Sequence, residues 1–191
     1  ANNVYPLDGD LGPRLAKMQA IAAPQETELV YYPPAAIRVH ESVSPPIKNR
    51  SHELIAEVEI PAHGDDGMLV TAGGRTAGYA LFIKGGRLHY VYNYLGMQRT
   101  MITSSDKVPA GKSTLSMKFT KTGNFEGDAE IFINGKQVGK AHLDKTVPAT
   151  FSIEETFDVG EDTGSPVIEG VYAVPFRCES LQKLTVKRSD D

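Results

Sequence analysis

The chain has 191 residues, with 20 Lys and Arg against 24 Asp and Glu and a formal net charge of −4, which excludes the clustered basic surface that a nucleic-acid backbone needs. Hydrophobic residues at 40% and charged residues at 23% are globular proportions, and no apolar run approaches the ~20 residues of a membrane-spanning helix. The one cysteine, Cys178, excludes an internal disulfide framework, and the length fits one all-β domain. The first residue is Ala and no leader peptide is visible, so the chain is expected to be processed or cut from something longer.

In chain order, the first predicted element is a helix. Asp10 caps it and Pro13 fits its first turn; Leu11, Leu15, Met18 and Ala22 follow helical spacing, and Pro24 stops it. Residues 1–26 therefore read as a linker and helix segment, and 27–191 as the main domain. From Glu28 onward the period changes to two. Leu54, Ala56, Val58 and Ile60 alternate with Ile55, Glu57 and Glu59, the pattern of a strand with one wet face. Tyr79, Leu81 and Ile83 alternate with Ala80, Phe82 and Lys84. In the next strand Leu88, Tyr90, Tyr92 and Tyr94 share one face, and His89, Val91 and Asn93 share the other. Lys84-Gly85-Gly86-Arg87 joins these two as a hairpin, since glycine accepts positive φ. Further strands are expected at Met101–Ser104, Leu115–Phe119 and Ile131–Ile133; the last runs into a second hairpin at Asn134-Gly135. Leu184 and Val186 mark a closing strand. Strands about every ten residues with no helices between them predict an all-β, two-sheet sandwich.

Several groups invite chemistry. Glu155, Asp158 and Glu161, with Asp162, form the densest carboxylate cluster. Sandwich glycosidases set their carboxylates at i, i+2, i+4 on one face of a strand. A spacing of three sends them to alternate faces, which counts against glycoside hydrolysis. The same stretch reads as a solvated loop. A calcium loop over Asp158–Ser165 is the other reading, though it matches no defined ligand spacing. Asp65-Asp66-Gly67 is explained by turn chemistry. The five histidines have no zinc-pair spacing, and Cys178 has no histidine near it in sequence, so no metal ligand is assigned. Tyr90 and Tyr92 belong to an aromatic row that either fills a core or interface, or stacks on sugar rings.

Longer stretches resemble a known family. Ala72-Gly73-Gly74, Gly78-Tyr79-Ala80-Leu81-Phe82, Gly86 to Gly96, Ile133 to Lys136 and Phe157 to Val167 are similar to the C-terminal region of large bacterial arylsulfatases. That resemblance implies a concanavalin-A-like jelly roll acting as the non-catalytic accessory domain of a sulfuric ester hydrolase. Its implied partner is the sulfatase catalytic domain of a parent chain. The formylglycine and calcium of such enzymes would belong to that domain, and none maps here: Cys178 is followed by Glu179, Ser180, Leu181 and Gln182 instead of the formylglycine motif. No catalytic residue and no cofactor is assigned. Asp158, Glu161, Asp162, Tyr90 and Tyr92 are the binding or interface candidates, and the Asp158–Pro166 loop is expected to face the parent. The alternative is a lectin-like sandwich that binds a sulfated glycan, and weak carbohydrate binding is its expected consequence.

Overall fold

The computed structural model describes residues 27–189; the N-terminal segment with its expected helix, and Asp190 and Asp191, lie outside them. The strands, β1 to β14 in chain order, form two sheets. One has the order β1 (Glu28–Tyr31), β14 (Leu181–Arg188), β3 (His52–Ile60), β8 (Gly111–Gly123), β9 (Glu126–Ile133), β10 (Lys136–Leu143), antiparallel throughout. The other has the order β12 (Glu161–Asp162), β13 (Phe176–Arg177), β4 (Gly67–Gly73), β5 (Gly78–Lys84), β6 (Arg87–Tyr94), β7 (Gln98–Lys107). There β11 (Thr156–Val159) pairs with both β4 and β2 (Val39–His40). The closing strand lies where the sequence puts it: Leu184 faces Ala56 and Val186 faces Leu54 across β14 and β3.

Both hairpin signals are realised. Asn134 and Gly135 take φ of 51° and 78°, and Gly85 and Gly86 take 58° and 68°, so both central residues of each turn are left-handed. That geometry matches the twist of the flanking strands. Asp66 locks the second turn: its carboxylate accepts the Gly85 and Gly86 amides at 2.7 and 3.1 Å. Its neighbour Asp65 accepts the Ser180 amide at 2.8 Å. The paired aspartates are turn and loop locks, as their sequence setting implies.

The core lies between the sheets. Leu54, Ala56 and Val58 of β3, Leu115, Met117 and Phe119 of β8, and Ala129 and Ile131 of β9 face Tyr79, Leu81 and Ile83 of β5 and Leu88, Tyr90 and Tyr92 of β6. A smaller apolar layer sits on the outer face of the second sheet. There the segment 163–175 crosses as a strap and packs Val167 and Tyr172 onto Met68, Ala80, Phe82 and Val91. Strand β4 is consequently buried on both faces, from Gly67 through Gly73.

Candidate functional site

Register positions the site. On the outer face of the second sheet, cross-strand pairing aligns Asp158, Thr71, Ala80, Val91 and Met101 in one row. The next row is Gly73, Gly78, Asn93 and Arg99. The β4–β5 and β6–β7 turns therefore stand side by side at one end of this sheet.

Each turn has a local cause. The β4–β5 turn closes with the Gly74 amide donating to Ala77 O at 2.8 Å. A Cβ on Gly73 would fall 2.1 Å from Ala77 O, and one on Gly78 would fall 2.2 Å from Ala72 O, so the tight return requires glycine at both. In the β6–β7 turn Leu95 and Gly96 both have positive φ, 51° and 69°. A left-handed leucine is strained where Asn or Gly is the ordinary choice. It is also 43% exposed, and the neighbouring Met97 is 74% exposed.

Asn93 ties the two turns together. It is fully buried; its Nδ2 lies 3.1 Å from Gly74 O, 2.9 Å from Arg75 O and 3.3 Å from Val167 O, and its Oδ1 accepts the Gly96 amide at 2.9 Å. One amide side chain thus anchors both turns and the strap. The Arg99 guanidinium adds longer contacts, to Gly96 O at 3.3 Å and Arg75 O at 3.4 Å. Above this anchor two exposed guanidiniums, Arg75 and Arg99, share a rim with the apolar Leu95, Met97 and Met101. Glu169 stands 3.8 Å from Arg75, both side chains more than 60% exposed, a separation and exposure at which an ion pair contributes little.

The carboxylates singled out in the sequence lie beneath or away from this rim. Asp158 is buried, accepting the Arg38 amide and the Thr163 hydroxyl, the latter at 3.1 Å. Asp162 is buried too; it accepts the Tyr172 hydroxyl at 2.8 Å and the Gly164 amide at 3.1 Å. Burial, with Asp158 and Glu155 adding repulsion, raises the Asp162 carboxyl to about 6 despite those two hydrogen bonds. Glu155 accepts the Ser165 hydroxyl at 2.6 Å, and the same hydroxyl oxygen accepts the Arg75 amide at 2.9 Å. These groups hold the strap in place. The loop from Asp158 to Pro166 leads into a strap that packs on its own sheet, and the Asp158 and Asp162 carboxylates are held by groups of the chain itself.

Glu161 lies apart, beside Arg177 in a cleft at the β12–β13 edge. Tyr90 and Tyr92 point into the core, 2% and 8% exposed, and the Tyr92 hydroxyl accepts the Val147 amide at 2.8 Å. Burial pushes the Cys178 thiol up to about 12, with the Asp65 carboxylate 3.6 Å from its sulfur adding to the rise. Among the described residues no three His, Cys, Asp or Glu side chains converge to hold a metal ion. The arginine pair escaped sequence reasoning, since neither arginine carries a motif and only the register of two hairpins unites them. Chemically, the rim offers planar cationic donors for a carboxylate or sulfate, with apolar surface alongside for a ring face.

No protein-family model matches the chain, and no curated protein matches its sequence. Its fold does have relatives among solved structures. The CBM40 carbohydrate-binding module of the Ruminococcus gnavus IT-sialidase, bound to α2,3-sialyllactose, superposes with a TM-score of 0.59 at 15% identity, over 84% of this chain and 92% of that one. The same module bound to α2,6-sialyllactose gives 0.58 at 14%, with the same coverage of both chains. A leech intramolecular trans-sialidase, complexed with 2,7-anhydro-Neu5Ac, gives 0.56 at 11%, over 85% of this chain and 25% of that one. These neighbours are sialidase CBM40 modules and a trans-sialidase and not the ends of sulfatases, which overturns the arylsulfatase resemblance and leaves the sulfatase partner implied by it without support. The stretches behind that resemblance include the glycines and asparagine of tight hairpins, Gly73, Gly78 and Asn134-Gly135, which turn geometry demands in sandwiches of any ancestry. At these identities the likeness defines the fold: the chain is an all-β jelly-roll sandwich of the architecture seen in CBM40 modules.

Proposed function

We propose that this chain is a non-catalytic carbohydrate-binding module that holds an anionic glycan at the Arg75–Arg99 rim. The carrying observation is the Asn93 anchor: a fully buried amide whose hydrogen bonds fix, side by side, the turn that carries Arg75 and the turn that leads into Arg99 at the start of β7. Burying a polar group is costly unless every bond is made, and here the bonds shape a solvent-facing rim. The carboxylate or sulfate of the glycan lies between the two arginines, and Met97, Met101 and Leu95 take the apolar face of a sugar ring. The sialyllactose bound by the CBM40 neighbours belongs to this chemical class.

Isothermal titration with sialyllactose and with lactose tests it. Sialyllactose is expected to bind and lactose to bind at least about tenfold more weakly, the scale of one lost hydrogen bond to a charged group. Arg75→Ala and Arg99→Ala should each remove most of the difference, and added salt should weaken the wild-type affinity. Equal affinities for the two sugars, or binding untouched by both substitutions, would contradict the proposal.

A further inference from the structure

The strap does more than cover the sheet: it fixes the backbone from which Arg75 projects. Glu155 directly precedes β11, and because Phe157 of that strand pairs with Ala72 of β4, the Glu155 side chain emerges beside Gly74. Its carboxylate accepts the Ser165 hydroxyl at 2.6 Å and the Ser165 amide at 3.2 Å. The Ser165 oxygen in turn accepts the Arg75 amide at 2.9 Å, while Asn93 donates to the Arg75 carbonyl at 2.9 Å. Both backbone polar groups of Arg75 are therefore held by side chains, one from the strap and one from β6.

Two observations separate this pair from an ordinary fastening of the strap. First, room is kept for it. A Cβ on Gly74 would fall 2.5 Å from Ser165 Oγ and 2.8 Å from the Glu155 carboxyl carbon, and one on Gly164 would fall 2.0 Å from Glu155 Oε2. Neither glycine has positive φ, so a side chain there would break the close approach of the carboxylate and not a turn conformation. Second, the amide that Ser165 accepts belongs to an exposed residue; Arg75 and Thr76 are the exposed positions of the β4–β5 turn. Water serves such an amide as well as a hydroxyl does, so the bond adds little to folding. The strap is already fastened without it, by Tyr172 on Asp162 and by Asn93 on Val167 O. What the bond adds is order in the backbone that carries a guanidinium. A long exposed side chain loses rotamer freedom when it grips a ligand, and fixing its backbone beforehand lowers that cost.

We infer that Glu155 and Ser165 are positioning residues of the glycan site: they touch no sugar, and they set its affinity by holding the Arg75 backbone in place beside Arg99. This role rests on the reading of the rim as a binder of anionic glycans.

Isothermal titration of the whole chain with sialyllactose reads this role. Ser165→Ala should weaken binding about three- to tenfold, the scale of one hydrogen bond, with an unfolding midpoint in urea close to that of wild type. Glu155→Ala combined with it should weaken binding no further, since the two side chains act as one unit. Both guanidiniums remain in Ser165→Ala, so added salt should weaken its binding as steeply as that of wild type. On an Arg75→Ala background Ser165→Ala should have no effect on affinity, because Ser165 acts through Arg75. Without any ligand, the heteronuclear amide NOE of Arg75 and Thr76 should fall in Ser165→Ala while those of Val167 and Tyr172 hold. A sialyllactose affinity of Ser165→Ala within about twofold of wild type would overturn the inference. So would an equal loss on the Arg75→Ala background, or a loss of order spread along the whole strap. A wild-type chain with no preference for sialyllactose over lactose overturns the rim reading and this role with it; a preference that Ser165→Ala leaves undiminished overturns this role alone.

Discussion

The hydroxyl of Tyr172 donates to the buried Asp162 carboxylate at 2.8 Å, and the same hydroxyl oxygen accepts the Val167 amide at 3.0 Å. The Tyr172 ring stacks on Phe176 with centroids 5.1 Å apart and leans on Phe82 at 5.2 Å. One side chain therefore joins the strap to both the buried carboxylate and the outer apolar layer. Tyr172→Phe keeps the ring and removes the hydroxyl, leaving a carboxylate and an amide each short of a partner. It should destabilise the fold by about 1–3 kcal/mol, measured by urea unfolding. An unchanged midpoint would mean that the strap does not depend on this bond.

The same carboxylate makes the strap pH-sensitive. In the folded chain Asp162 is raised from its ordinary 3.8 to about 6, so the folded state binds its proton more tightly than the unfolded state does. Its contribution to stability is then greatest below about pH 4 and is lost as pH rises through about 6. Asp162→Asn removes that titration. Between pH 4 and 6 the wild type should lose stability with rising pH relative to the Asn variant, and above pH 7 the difference should stop changing. Parallel stability curves across the window would show that Asp162 titrates at its ordinary value.

Cys178 is expected to be chemically silent in the folded chain. It is 4% exposed and its thiol is pushed up to about 12, so almost no thiolate is present at pH 8. A disulfide reagent such as DTNB should label one thiol in urea and none over minutes in native buffer. Rapid native labelling would require an open β13–β14 connection.

Much of this fold is legible in the sequence, because a sheet with one wet face imposes a period of two. Strand β3 alternates Leu54, Ala56, Val58 with Ile55, Glu57, Glu59, and β6 separates its tyrosines from His89 and Asn93 just as the register does. Strand β4 shows no such alternation, since the strap covers its second face and every residue from Gly67 to Gly73 is buried. The carboxylates mislead for a different reason. Asp158 and Asp162 look solvated in a polar stretch, yet Asp158 is matched by the Arg38 amide, 120 residues away, and Asp162 by Tyr172 on the strap. Such partners have no local signature. Arg75 and Arg99 meet only because Gly78, Asn93 and Arg99 share a register row.

Stability and recognition should separate cleanly. Leu115 is fully buried between the sheets, and Leu115→Ala should cost about 2–5 kcal/mol. Arg75→Ala and Arg99→Ala change exposed side chains and should stay within about 0.5 kcal/mol of wild type by the same denaturation assay. A large loss from either arginine change would make that residue part of the fold's support and not of a ligand surface.

The most direct test of glycan recognition at the rim is amide chemical-shift mapping with sialyllactose. The account predicts shifts at Arg75, Thr76, Gly96, Met97 and Arg99 that saturate together, and their loss in a chain carrying both Arg75→Ala and Arg99→Ala. Saturating shifts located elsewhere, or rim shifts that persist in the doubly substituted chain, would contradict it.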